Sequence, residues 1–324
     1  MPILHHRTPS VGSYPLWLGA RMFVKPLLSV WPLTNAGMSP LYLIDHLADR
    51  DREIRGVIRD RVELAGRPAE FILPGGVSRR AHDTAILYLH GGAFVVGGLG
   101  THRAVAARLA RRCELPVFSL VYRQLPAAGV GTSVSDALSA YRELVTERGY
   151  RHVIVAGDSA GGFLAGKVVE GAAGAGLPRP LAYVGFSPLL DLELGSNPDR
   201  SSRSDAYLPK AKMVRLARYF YRGPIAFAGV RRIGALDPEI FPPTFLTTAE
   251  NEMLEPDAIA LVEGLDAAGV PATAHSFSWQ VHAFPALVTR HRETLAAIGL
   301  AAEFVHQVMA EARRADKKAE RPAG

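Results

Sequence analysis

Cysteine is almost absent: Cys113 is the only one in 324 residues. No disulfide can close within the chain and no cysteine-based metal site can form. A reducing compartment, and with it a cytoplasmic location, is the expectation. Long apolar runs are missing too. No stretch approaches the roughly 18 uncharged apolar residues of a membrane span. The nearest candidate, residues 11–34, contains Arg21 and Lys25 and is cut by Pro15, Pro26 and Pro32. A basic start, a compact apolar run and a small-residue cleavage site are not found at the N-terminus, so no signal peptide is expected. Charge of one sign is not concentrated either. Lys and Arg number 37 against 31 Asp and Glu, a formal +6, and part of the excess sits at residues 313–321. A nucleic-acid binder needs a basic stripe with aromatic or motif support, and the sequence offers none. What is present is an ordinary globular composition, 48 % hydrophobic and 21 % charged, which excludes wholesale disorder and collagen-like repeats.

From residue 85 onward, short apolar runs alternate with helical patterns. Strands are predicted at 85–89, 116–122, 152–156, 181–186, 244–248 and 272–277. Helices are predicted at 103–112, after the strand at 116–122 with Leu138, Tyr141, Leu144 and Val145 on one face, at 159–171, at 256–268 and at 285–312. Such alternation implies an α/β fold with a mostly parallel sheet covered on both faces. Residues 61–73 read as an antiparallel pair turning at Gly66. Residues 195–234, rich in Ser, Asn, Asp and Arg, interrupt the pattern and are expected to form an insertion above the sheet. Residues 1–50 are expected to form a helical cap, 51–312 the main domain, and 313–324 a frayed tail. Within the cap, Trp17, Leu18, Met22, Phe23, Leu27, Leu28 and Trp31 recur near helical spacing. A helix packed on the body is the favoured reading; a lid over a pocket and a membrane-surface helix are the alternatives.

Two motifs carry chemistry. Gly157-Asp158-Ser159-Ala160-Gly161, followed by Gly162, comes directly after the strand at 152–156 and opens a helix. That is the setting of a nucleophile elbow, in which a strained strand-to-helix turn projects the serine above the sheet and the helix N-terminus offers free amides. His90-Gly91-Gly92-Ala93-Phe94 follows the strand at 85–89. Amides from two of Gly91, Gly92 and Ala93, together with that of Ala160, are candidate donors of an oxyanion hole. His90 itself is expected to be structural, ending a strand and pinning the loop.

A serine nucleophile needs a base, and the base an orienting carboxylate. Beyond Ser159 lie His275, His282, His291 and His306. His275 falls inside a strand and the last two inside the final helix, which leaves His282 on the loop after 272–277. The loop after 244–248 offers Glu250, Glu252, Glu255 and Asp257. Glu255 and Asp257 suit the first turn of the next helix. Glu252, in mid-loop, is favoured as the acid, with Asp257 the alternative still open. Asp158, Asp136 and Asp191 are expected to be structural. Phe94, Val95 and Val96, with Trp17, Met22, Phe23, Tyr207 and Leu208 from the cap and insertion, are candidate apolar walls for a substrate. Trp279 is either wall or packing.

With HGGAF at 90–94, GDSAGG at 157–162, Tyr122-Arg123, Ser187-Pro188 with Asp191, and His282-Ala-Phe284, the sequence resembles the hormone-sensitive-lipase-type branch of the α/β-hydrolase superfamily, across about residues 85–306. The resemblance implies a serine carboxylesterase acting on short- to medium-chain acyl esters, with no metal or cofactor. It also implies that the N-terminal segment caps the acyl pocket. The family's usual Asp-Pro-Leu at the acid position is matched here by Glu252-Met253-Leu254, so the implied acid is Glu252 with Glu in place of Asp. The same constellation serves amide or lactone hydrolysis and acyl transfer. A non-catalytic receptor on the same scaffold is the alternative outside enzymes, disfavoured because nucleophile and base are both present. The expected partner is a small ester; membrane-surface contact is not favoured, and a homodimer stays open.

Overall fold

The computed structural model describes residues 2–49, 54–78 and 82–319. Nine strands form one sheet: β1 (Ile3–His6), β2 (Val57–Leu64), β3 (Arg67–Pro74), β4 (Thr84–Leu89), β5 (Val117–Leu120), β6 (His152–Asp158), β7 (Tyr183–Phe186), β8 (Thr244–Ala249) and β9 (Ala272–Phe277). Their order is β1-β9-β8-β7-β6-β4-β5-β3-β2. Only β3 runs against the other strands, antiparallel to both β2 and β5, and the β2–β3 hairpin turns at Ala65-Gly66 as expected.

The strands are apolar on both sides, and alternation decides which layer each residue joins. Leu87, Leu89, Val153 and Val155 face one layer. It is covered by α6 (Val130–Thr146), α7 (Ala160–Gly174) and α9 (Glu255–Ala267). Ile86, Tyr88, Ile154 and Ala156 face the other, covered by α5 (Leu99–Cys113) and α11 (Arg292–Ala319). By length and composition Arg292–Lys318 could cross a membrane, but Ile298, Ala301, Val305 and Val308 on it are buried against the sheet. It is a core helix.

Several boundaries differ from the sequence expectation. Residues 3–6 are not part of the cap; they pair in parallel with β9 at the sheet edge. The rest of the N-terminal segment is helical: α1 (Ser13–Gly19), a π-helical turn (Ala20–Val24), α2 (Lys25–Val30), α3 (Asn35–Met38) and α4 (Tyr42–Ala48). The boundary expected at 50/51 lies outside the described residues. The helix expected at 285–312 is two, α10 (Phe284–Leu287) and α11, and α11 continues to Ala319, so the described part of the tail is helical. Residues 320–324 also lie outside the described residues. The insertion at 195–234 holds α8 (Lys210–Ala217) and touches the cap: the Arg21 guanidinium donates to the Asp205 carbonyl, and Lys25 Nζ to the carbonyls of Ser202 and Asp205.

Candidate active site

Because β4, β6, β8 and β9 are parallel, their C-terminal ends share one edge of the sheet, and the loops leaving them converge there. Ser159 follows β6. Its φ of 48° and ψ of −118° are strained for a residue with a side chain. The bend is possible because Gly161 lets α7 approach β4: a Cβ there would stand 1.8 Å from the Leu89 carbonyl oxygen. Ser159 Oγ consequently stands above the sheet, 2.8 Å from His282 Nε2. His282 Nδ1 in turn lies 2.7 Å from Glu252 Oε2. With the proton on Nδ1 held by the carboxylate, Nε2 is left to accept the serine hydroxyl.

His282 and Glu252 are almost wholly buried. Burial works against a charge on His282, but the Glu252 carboxylate outweighs it and raises the imidazole's pKa above its ordinary value. The other carboxylates of the acid loop lie elsewhere. Glu255 bonds the hydroxyls of Thr248 and Ser276. Asp257 pairs with Arg200 and Asn197 of the insertion. Glu250 bonds the Ser278 hydroxyl. Geometry therefore singles out Glu252 among the four.

The oxyanion loop departs from expectation at one residue. The Gly91 amide donates to Asp158 Oδ1 at 2.9 Å, so Gly91 is not available as a donor to substrate. The amides of Gly92, Ala93 and Ala160 have no acceptor among the described residues and stay candidates. Gly92 is required by the loop's shape: its φ is +107°, and a Cβ would sit 1.8 Å from the Val96 carbonyl oxygen. Asp158, adjacent to Ser159, is structural as expected, and it anchors this loop. Its carboxylate also accepts from the Tyr88 hydroxyl at 2.7 Å and pairs with His102 Nε2 at 3.3 Å. Burial alone would raise the Asp158 pKa, but His102 outweighs it and lowers it. His90 is likewise structural: it is fully buried, stacks on Tyr122, bonds the Gly91 carbonyl through Nδ1, and is held neutral with its pKa lowered to about 4 by burial.

The candidate walls divide. Phe94 is completely buried, its ring edge-on to Phe163 and Phe220, so it packs in the core in this structure. Val95 and Leu208 are also buried, at 6 % and 5 % exposure. Met22 and Phe23 point the other way, into solvent. Tyr207 is the wall candidate set beside the triad, its ring centroid 6.1 Å from that of His282. Trp279 packs on Tyr14 and Trp17, joining the His282 loop to the cap.

Two residues near the site were given no role by the sequence. The Ser187 hydroxyl accepts the Ala283 amide, fixing the residue after His282, and its proximity helps to lower the Glu252 pKa against the burial that raises it. Its Ser-Pro signature was visible in the sequence, but its partners were not. Asp205 accepts the amides of Met253, Tyr207 and Leu208; no local signal marks it. Among the described residues no group of His, Cys, Asp and Glu side chains could hold a metal ion.

Comparison with known proteins gives the family. The family model described as the alpha/beta hydrolase fold matches residues 86–286. A carboxylesterase/phospholipase of Mycobacterium tuberculosis, LipF, is 30 % identical over 94 % of this chain and 83 % of its own. An acetyl-hydrolase of Streptomyces hygroscopicus is 32 % identical over 69 % of this chain and 74 % of its own. Among solved structures, an esterase from the bacterial hormone-sensitive lipase family superposes with a TM-score of 0.78 at 26 % identity, covering 93 % of this chain and 99 % of that one. The chain belongs to the α/β-hydrolase family, in its hormone-sensitive-lipase-type branch of serine carboxylesterases.

Proposed function

We propose that this protein hydrolyses short- to medium-chain acyl esters through an acyl-enzyme formed on Ser159. The observation that carries the reading is the continuous relay from Ser159 Oγ through His282 to Glu252, at 2.8 and 2.7 Å. Ser159 Oγ attacks the ester carbonyl carbon, its proton passes to His282 Nε2, and the carbonyl oxygen takes up negative charge. The amides of Gly92, Ala93 and Ala160 are the donors for that oxyanion. His282 then gives its proton to the leaving alcohol, and the carbon–oxygen bond to the alcohol breaks. A water, deprotonated by His282, attacks the acyl carbon; the returning proton releases Ser159. Glu252 holds the imidazole tautomer and stabilises the cation formed at each transfer.

Acyl length follows from how much apolar wall meets the chain, at roughly 0.8 kcal/mol per buried methylene. Tyr207 and the cap residues packed near Trp279 supply that wall. The test is a panel of p-nitrophenyl esters of graded chain length, run against matching amides and lactones. Highest kcat/KM on short to medium esters is expected. Turnover of amides or lactones without esters would replace this reading.

A further inference from the structure

The cap helix is inside out. α1, the π-turn and α2 make one rod over residues 13–30. Pro26, which has no N–H, stands just after the π-turn, and the extra residue in that turn keeps both Met22 and Phe23 on one face. Leu18, Met22, Phe23, Leu27 and Val30 follow one another along one side of the rod and are all exposed, Phe23 at 72 % and Val30 at 77 %. The charged side chains of the rod point inward: Arg21 and Lys25 are spent on carbonyls of Ser202 and Asp205. An ordinary surface helix does the reverse. Of 17 large hydrophobic residues exposed among the described ones, 10 lie between Val11 and Leu47. Such concentration marks an interaction face.

Charge says what covers it. No Asp or Glu occurs between Pro2 and Ile44. Leu43, Ile44 and Leu47 extend the exposed apolar set onto α4, and Ile44 stands one turn before Ala48 on the same helical face. Ala48 lines a cleft of about 540 Å³ that is also lined by Arg55, Arg103, Arg108, Arg111 and Arg290 and, among the described residues, by no acidic one. Arg103 is paired with Glu70 and Asp49; the other four have no carboxylate partner among the described residues. An apolar rod followed by α4, whose end lines a cleft of guanidinium groups without carboxylate partners among the described residues, matches an anionic lipid surface, with acyl chains for the rod and phosphate headgroups for the cleft. A second copy would bring no counter-charge to the cleft. We infer that residues 13–47 dock this enzyme on an anionic bilayer through the outer face of the cap. The inner face of the same rod packs on Trp279, three residues from His282, so docking would set the His282 loop close to the lipid.

The experiment is sedimentation with vesicles of phosphatidylcholine alone or mixed with phosphatidylglycerol, on Ser159→Ala protein so that binding is read without hydrolysis. The expected result is partitioning to the mixed vesicles and a loss of about tenfold or more in the Phe23→Ser/Leu27→Ser/Val30→Ser variant. The same triple change in the Ser159 background should leave turnover of soluble p-nitrophenyl acetate and the melting temperature unchanged. Absence of binding to either vesicle, or equal binding by the triple variant, overturns the proposal. Equal binding to neutral vesicles overturns its anionic part. A dimer that the triple variant abolishes, without lipid binding, assigns the face to a second copy instead.

Discussion

Glu252 Oε2 lies 2.7 Å from His282 Nδ1, a contact between the loops after neighbouring strands β8 and β9. Ser187 braces the base side of this contact by accepting the Ala283 amide. A glutamate is one methylene longer than aspartate, and the acid loop accommodates it by turning its carboxylate back so that Oε1 accepts the Ala249 amide. Glu252→Gln should therefore lower kcat by about two to four orders of magnitude, because an amide can stabilise neither the required tautomer nor the cation. Asp257→Asn should leave kcat within about threefold while costing about 1–3 kcal/mol of stability through the buried Arg200. Steady-state kinetics beside thermal melts separate the two; the reverse pattern would move the acid to Asp257.

The pH profile follows from the sign of the His282 shift. The base works when neutral, and Glu252 raises its pKa above 6.5 despite burial. The acid limb of kcat/KM should accordingly fall above pH 6.5. In Glu252→Gln the opposing influence of burial is left unbalanced, so the limb should move to lower pH along with the fall in kcat. A pH–rate profile of both proteins checks this.

Gly92→Ala tests the oxyanion loop. The added Cβ has no room beside the Val96 carbonyl, at 1.8 Å. Displacing the loop amides should cost about 2.7–4 kcal/mol of transition-state stabilisation, seen in kcat. Binding of a serine-directed phosphonate should slow in parallel, since its oxyanion needs the same donors.

Asp158→Asn tests the anchor behind that loop. His102 is held above its ordinary pKa by Asp158 in spite of burial. Without the carboxylate, burial should drive His102 below 6.5, which its proton resonances would report on titration. Because the Asp158 pKa is depressed in the folded protein, its stabilisation is present above the unfolded value near pH 4. It is lost as the pH falls through the folded value. The melting-temperature difference between the two proteins should therefore be large at pH 7 and shrink under acid.

Legibility in the sequence tracked the locality of the cause. The elbow at Gly157–Gly162 and the loop at His90–Phe94 are dictated by glycines within a few residues of each other, and both were readable. So were the strands whose apolar runs are buried on both faces, such as β6 and β8. Ile3–His6 carries too few apolar residues to announce a strand; it becomes one because β9, some 270 residues on, offers a free edge. That the Gly91 amide is taken was equally invisible, since its acceptor is the Asp158 side chain across the sheet edge. In the cap, periodicity showed an amphipathic rod but not its direction. Arg21 and Lys25 set that direction by finding carbonyls in the insertion.

The most direct measurement is intact-mass and peptide analysis after incubation with a p-nitrophenyl phosphonate. One adduct is expected, on Ser159, forming with loss of ester turnover and absent in Ser159→Ala and strongly slowed in His282→Ala. Unmodified Ser159 in protein that still turns over esters, or a stoichiometric adduct on another residue, would contradict the assignment of this serine as the nucleophile.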